Sequence, residues 1–218
     1  VSVDLIFGIP QQTMISWQDT LKRTLDLAPN HFSIYSLSLD FGTPMRAWVL
    51  RGLLPEPDSD LAADMYEWGD EELMRHGFEQ YEVSSWAKSS DQSSVNSDQF
   101  ECKHNLQYWH NDPYLGLGAG AHGFITPDLA GFQNPRGLSC RYSNVMSPTA
   151  YISRMESGEA KQFPFSPALS ESSSVDRKTE MDETMLTGMR LTKEGVSFER
   201  FRKRFGVEIG DVFAKELK

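Results

Sequence analysis

Val3-Asp4-Leu5-Ile6-Phe7-Gly8-Ile9-Pro10, then Met14, Trp17, Leu21 and Leu25, then Phe32, Ile34, Tyr35, Leu37 and Leu39, decide the fold class of this chain. The first run is short and apolar and stops at a Gly-Ile-Pro turn signal, which marks a strand. Apolar residues at steps of three and four predict an amphipathic helix over residues 13–27, stopped by Pro29-Asn30. The third run predicts a second strand, closed by Phe41-Gly42-Thr43-Pro44. Strand, helix and strand at this spacing imply a parallel crossover, so the expected fold is α/β with a parallel sheet.

Working outward, a short helix is expected over 45–51, a break at Leu54-Pro55-Glu56-Pro57, and a longer helix over 59–76 capped by Asp58 or Ser59. Phe78 to Trp86 reads as one further strand. The Ser-, Asn- and Asp-rich stretch from Lys88 to Gln99 reads as a mobile loop. Residues 127–147 show turn formers and little periodicity. A helix over 148–156, a linker over 163–174, a helix over 175–190 and two short helices over 198–205 and 207–217 follow. The expected organisation is residues 1–125 as α/β barrel, 126–174 as a connecting region, and 175–218 as a small, mostly helical subdomain of winged-helix type, cut short at its end.

The chain has 218 residues and a formal net charge of −10, from 31 acidic and 21 basic side chains. Such a surface repels nucleic acid and anionic lipid, so neither is an expected partner, and membrane contact is at most peripheral. No apolar run approaches the roughly 20 residues that span a bilayer. Two cysteines, Cys102 and Cys140, cannot build a disulfide framework and suit a reducing cytoplasm. The opening on Val1 inside a strand-like run reads as the start of a piece of a longer chain.

Two adjoining segments carry the chemistry. Cys102-Lys103-His104-Asn105-Leu106-Gln107-Tyr108-Trp109 sets an imidazole beside aromatic rings, and a helix would place His104 and Tyr108 on one face. An imidazole next to flat aromatic surface suits a planar metal-bearing ligand such as haem; the plainer reading is a hydrogen-bonded histidine with core aromatics. Gly116, Gly118, Gly120 and Gly123 then form a run unlike an ordinary helix or strand, in which backbone could approach a ligand or bend sharply. His122 lines a pocket or fills the bend. Asp4, in a strand near its C-terminal end, is placed where ligand crevices of parallel sheets open. A zinc set of Cys102, His104, His110 and His122 lacks paired spacing. The basic cluster Arg200, Arg202, Lys203, Arg204 reads as a solvated helix face. No nucleophile elbow or P-loop is present, and no catalytic residue is assigned.

At these motifs the sequence resembles the radical S-adenosylmethionine (SAM) family of oxygen-independent coproporphyrinogen III oxidase-like proteins, and within it the haem-chaperone branch, HemW. Asp4-Leu5-Ile6-Phe7-Gly8-Ile9-Pro10-Gln11-Gln12-Thr13, Phe41-Gly42-Thr43-Pro44, Gly77-Phe78-Glu79-Gln80-Tyr81-Glu82-Val83-Ser84 and the tail 185–205 are similar to family segments. His104-Asn105-x-x-Tyr108-Trp109 is the pattern that separates the chaperone branch from the oxidases.

The resemblance implies the C-terminal part of a partial TIM-like barrel and a haem chaperone that passes haem to acceptor proteins, respiratory ones among them. It implies haem iron bound at His104, with Tyr108 and Trp109 beside it, and SAM contacted by Asp4, Ser38 and His122. A [4Fe–4S] cluster is implied in the intact parent. The family's Cys-x-x-x-Cys-x-x-Cys is missing here, so the cluster ligands are expected to precede this chain and the chain alone to be inactive in SAM cleavage. The alternative is the oxidase itself, which decarboxylates coproporphyrinogen by radical chemistry; a haem-free binding module is a distant third.

Overall fold

The computed structural model describes residues 1–89, 99–128, 137–158, 161 and 163–216. Most of the loop expected over 88–99 lies outside the described residues. The chain divides into two compact units, residues 1–102 and 103–218.

The first unit opens as its sequence predicts. Strand β1 (Ser2–Phe7) leads to helix α1 (Met14–Leu25) and strand β2 (His31–Ser36), and β1 and β2 pair in parallel from Ser2 opposite His31 to Phe7 opposite Ser36. Helix α1 starts where Thr13 and Ser16 cap each other reciprocally, each side-chain oxygen accepting the other's backbone N–H at 3.2 Å. Helix α2 (Pro44–Leu50) is capped by Thr43, and α3 (Ser59–Arg75) by Asp58, whose carboxylate accepts from the Asp60 and Leu61 amides at 3.0 Å. Trp17 and Leu21 of α1, Met65 and Leu73 of α3, and Phe7, Phe32 and Ile34 of the strands form the core. The Trp17 indole donates to the Met65 carbonyl at 2.9 Å, which fixes α1 against α3.

The sheet is mixed, which corrects the parallel expectation. Phe78 to Trp86 is two strands, β3 (Phe78–Glu82) and β4 (Ser85–Lys88), folded back at Val83-Ser84. The sheet order is β1-β2-β4-β3, with β4 antiparallel to both β2 and β3. The turn carries no Gly or Asn. It is held instead from outside: Ile34 donates its amide to the Ser84 carbonyl at 2.8 Å, and the Tyr66 hydroxyl donates to the Val83 carbonyl at 3.0 Å.

The second unit contains α4 (Lys103–Trp109), β5 (His122–Ile125), β6 (Ser139–Asn144), α5 (Pro148–Glu156), β7 (Leu169–Val175), α6 (Arg177–Gly188), α7 (Phe198–Phe205) and α8 (Ile209–Val212). Its sheet is antiparallel in the order β5-β6-β7. Strand β6 lies in the stretch without periodicity, and β7 in the expected linker. Strand β7 reads Leu-Ser-Glu-Ser-Ser-Ser-Val because it is an edge strand, exposed over Ser170–Ser174 and blunted by polar side chains. Met181, Phe201, Phe205 and Ile209 form a helical core, in which α7 ends at Gly206 in the left-handed conformation (φ 64°). No helix among the described residues is long and apolar enough to cross a membrane.

Candidate functional site

Helix α4 has seven residues and carries the histidine motif. As a helical i,i+4 pair, His104 and Tyr108 meet with ring centroids 4.9 Å apart and planes at 84°. Tyr108 in turn lies 4.6 Å from Tyr114 at 76°. Tyr114 is fixed by its backbone, which exchanges hydrogen bonds of 2.7 and 3.0 Å with Phe124 of β5. The result is a row of three rings in edge-to-face contact, one of the preferred aromatic geometries. Its outer member, His104, is exposed, and Leu115 and Leu117 are exposed in the loop that follows. Burial pushes the Tyr114 phenol above its ordinary pKa, against the opposing pull of Arg141.

Trp109 does not share that face. One residue on from Tyr108, it is turned by about 100° around the axis, and the Arg190 guanidinium lies over its indole 4.3 Å from the ring centroid. The turn that follows the helix closes at Asn111, which adopts a left-handed φ of 53°. The turn is held by α6, α7 and the segment between them. His110 Nε2 and Glu194 are 2.9 Å apart, Asn111 donates to the Thr184 hydroxyl at 3.0 Å, and Arg204 donates to the Asn111 carbonyl at 2.7 Å. Arg200 pairs with Asp112 at 2.9 Å, and Arg204 also pairs with Glu180 at 2.7 Å. Arg200, Arg202 and Arg204 therefore meet acids of this unit, Arg202 at 3.5 Å from Glu208. A cavity of about 800 Å³ is lined by Trp109, His110 and Asp112 on one side and Glu180, Arg200 and Arg204 on the other. His104 and Tyr108 do not line it, so the ring row and the cavity are separate features.

The glycine run is packed against protein. A Cβ at Gly116 would sit 2.2 Å from the His122 carbonyl oxygen, and one at Gly123 would sit 2.1 Å from the Tyr142 ring. The Gly116 amide donates to the Tyr142 hydroxyl at 2.8 Å, and Asn144 donates to the Gly116 and Gly118 carbonyls at 3.2 and 3.0 Å. Gly118 and Gly120 take φ of 105° and 69°. The run is not wholly irregular as expected, since His122 and Gly123 begin β5. Absence of side chains here lets Tyr142 lie across the strand.

Of the residues matched to SAM contacts, Asp4 and Ser38 belong to the first unit and His122 to the second. Asp4 is exposed on β1, opposite Ser33 of β2. Ser38 lies two residues past β2 and donates to Asp40 at 2.9 Å. His122 is exposed at the start of β5. Cys102 and Cys140 are free, and among the described residues no group of three or more His, Cys, Asp or Glu side chains could hold a metal ion, which dissolves the zinc set.

Sequence reasoning missed a polar chain in the first unit. His31 bridges the Ser2 hydroxyl at 2.9 Å and the Tyr81 hydroxyl at 2.8 Å, and Tyr81 accepts from the Cys102 amide at 3.1 Å. Burial lowers the His31 pKa, with Asp4 opposing, and raises that of Tyr81 to about 12. Sequence reasoning also missed Arg190 and Glu180, and it read Arg204 as part of a solvated helix face although Arg204 pairs with Glu180 and Asn111. No local pattern marks these contacts, because the partners lie tens of residues apart.

The sequence profile of the HemN C-terminal domain matches residues 175–218. Over the whole chain, the protein is 33% identical to a relative named "Heme chaperone HemW" from Bacillus subtilis, covering 50% of that relative, and 31% identical to one of the same name from Lactococcus lactis, covering 49%. It is 43% identical over 131 residues, 60% of this chain and 28% of the relative, to mouse "Radical S-adenosyl methionine domain-containing protein 1, mitochondrial". The chain thus spans about half the length of the HemW relatives it matches end to end. A solved structure titled "Coproporphyrinogen III oxidase (HemN) from Escherichia coli is a Radical SAM enzyme" superposes with a TM-score of 0.64 over 99% of this chain and 46% of that one, at 18% identity. That likeness shows that the two share an α/β fold.

Proposed function

We propose, on the premise that this chain belongs to the HemN/HemW-like radical SAM family, that it holds haem on α4 and hands it to an acceptor protein. The observation that carries this reading is the ring row: an exposed His104 edge-to-face with Tyr108, itself edge-to-face with Tyr114. An imidazole nitrogen supplies the lone pair that haem iron takes as an axial ligand, and Tyr108 supplies aromatic surface for the macrocycle. The names of the HemW relatives support haem as the cargo. An exposed helix face suits a carrier, because an acceptor can approach haem held there. Two free cysteines fit a reducing cytoplasm.

Of the groups that the family implies, SAM would be met in the first unit by the Asp4 carboxylate, which accepts hydrogen bonds from an amine or ribose hydroxyl, and by the backbone around Ser38. A [4Fe–4S] cluster does not fit this chain's own residues. Two cysteines, one in each unit, cannot supply three thiolates.

The test is a haem titration of the chain and of His104→Ala, followed at the Soret band. The expected result is saturable one-to-one binding, weakened by about tenfold or more in the variant, the equivalent of about 1.4 kcal/mol. Equal weak binding by both would remove His104 from the site, and coproporphyrinogen turnover by the full-length parent would then be the activity to assay.

A further inference from the structure

We infer that Trp109 is a positioning residue rather than a haem contact: clamped by Arg190, it anchors α4 to the C-terminal segment and so sets the pose of His104 and Tyr108. The inference rests on the haem reading above for its consequence, but not for the clamp itself. Among the described residues, the long-range side-chain hydrogen bonds, ion pairs and cation–π contact of this helix and its terminal turn fall on residues 109–112. Arg190 stacks on Trp109, Glu194 meets His110, Thr184 and Arg204 bind Asn111, and Arg200 pairs with Asp112. All five partners lie in the stretch that matches the HemN C-terminal domain. Among the described residues, the ring–ring contacts of His104 and Tyr108 are with each other and with Tyr114.

A helix of seven residues cannot stand alone in water, where isolated helices shorter than about 12 residues are marginal. Its helicity must come from packing, and the packing is at its C-terminal end. Helical geometry is also what keeps His104 and Tyr108 in register, since an i,i+4 pair separates when the turn frays. Trp109, about 140° around the axis from His104, is the one aromatic ring of the motif that can serve the clamp while the other face stays free. An indole face and a guanidinium stacked at 4.3 Å form a cation–π contact whose strength grows as water is excluded.

The experiment compares the wild-type chain with Trp109→Ala, Trp109→Phe, Arg190→Gln and the Trp109→Ala/Arg190→Gln double variant. Without haem, hydrogen–deuterium exchange of amides 103–112 is expected to quicken by about tenfold in Trp109→Ala and in Arg190→Gln, as local opening of α4 becomes easier. With haem, each single variant is expected to raise the dissociation constant by about five- to thirtyfold, and the double variant to raise it no further than the worse single. The Soret maximum of the bound form stays at the wild-type position, because His104 remains the ligand. Trp109→Phe, which keeps a ring for Arg190, is expected to restore exchange and affinity to within about threefold of wild type.

Unchanged exchange in Arg190→Gln overturns the clamp. A Trp109→Phe variant that shifts the Soret maximum or binds as weakly as Trp109→Ala overturns the positioning role in favour of direct contact. Should the wild-type chain take up no haem, the proposed function fails, and exchange without haem still decides whether Arg190 and Trp109 anchor α4.

Discussion

Gly123→Ala is expected to destabilise the second unit by about 2–5 kcal/mol, although alanine ordinarily favours a strand over glycine by about 0.5–1 kcal/mol. The added Cβ would lie 2.1 Å from one Tyr142 ring carbon, 2.2 Å from the next and 2.6 Å from the hydroxyl oxygen. Carbon atoms in good contact stand about 3.5–4.0 Å apart, so the ring must withdraw by about 1.5 Å. It has nowhere inexpensive to go: it is 4% exposed, stands edge-on to Phe165 at 5.6 Å, and its hydroxyl takes the Gly116 amide. Overpacking contributes about 1–3 kcal/mol, and stranding the buried Gly116 amide about 1–3 more. Urea unfolding at constant m-value measures the loss. Tyr142→Phe, which removes only the hydroxyl, should cost about 1–3 kcal/mol by leaving the same amide unpaired. In a Tyr142→Ala background the methyl has room, and Gly123→Ala should cost less than about 1 kcal/mol, leaving a coupling of at least about 1 kcal/mol. A Gly123→Ala chain within about 0.5 kcal/mol of wild type, or costs that simply add, would refute the view that the glycine run exists to seat Tyr142.

Other outcomes follow from the same structure. Arg204→Ala should cost about 3 kcal/mol in the same urea assay, because it takes the cation from Glu180 (side chain 11% exposed), leaving that carboxylate only the Ser139 hydroxyl, and strands the Asn111 carbonyl. Tyr81, raised by burial to about 12, contributes stability that is intact below its ordinary pKa of 10.0 and is lost as pH rises through about 12; Tyr81→Phe should flatten that alkaline limb. His31, lowered by burial, contributes stability that is intact above its ordinary 6.5 and falls as pH drops below it; an imidazole titrating above 6.5 by NMR would contradict this.

Local rules were enough where an element carries its own signals. The turn at Gly8-Ile9-Pro10 and the spacing of Trp17 and Leu21 place β1 and α1 within about two residues of their observed ends, whereas β2 stops at Ser36, short of the expected Leu39. They failed where a distant partner decides. The turn at Val83-Ser84 has no Gly, Pro or Asn to mark it, and it is held by hydrogen bonds from β2 and α3. Strand β7 looked like a linker because an edge strand with one neighbour needs little apolar surface. The candidate site divides in the same way. The i,i+4 pair of His104 and Tyr108 is legible from spacing, whereas Tyr114 joins them only because β5 holds its backbone.

That division has a physical origin. If His104 takes up a ligand at the surface, as proposed above, it must keep unspent bonding capacity and cannot be fixed by burying and satisfying it, as His31 is. Its geometry has to be imposed from neighbours that are themselves packed and paired. In this chain those are Trp109 and Asn111, whose partners Arg190, Thr184 and Arg204 come from 73 to 93 residues further along. On the proposed function, a motif read along the sequence therefore lists together residues of opposite duty: one ring left open to a ligand, and another used to hold the helix that presents it.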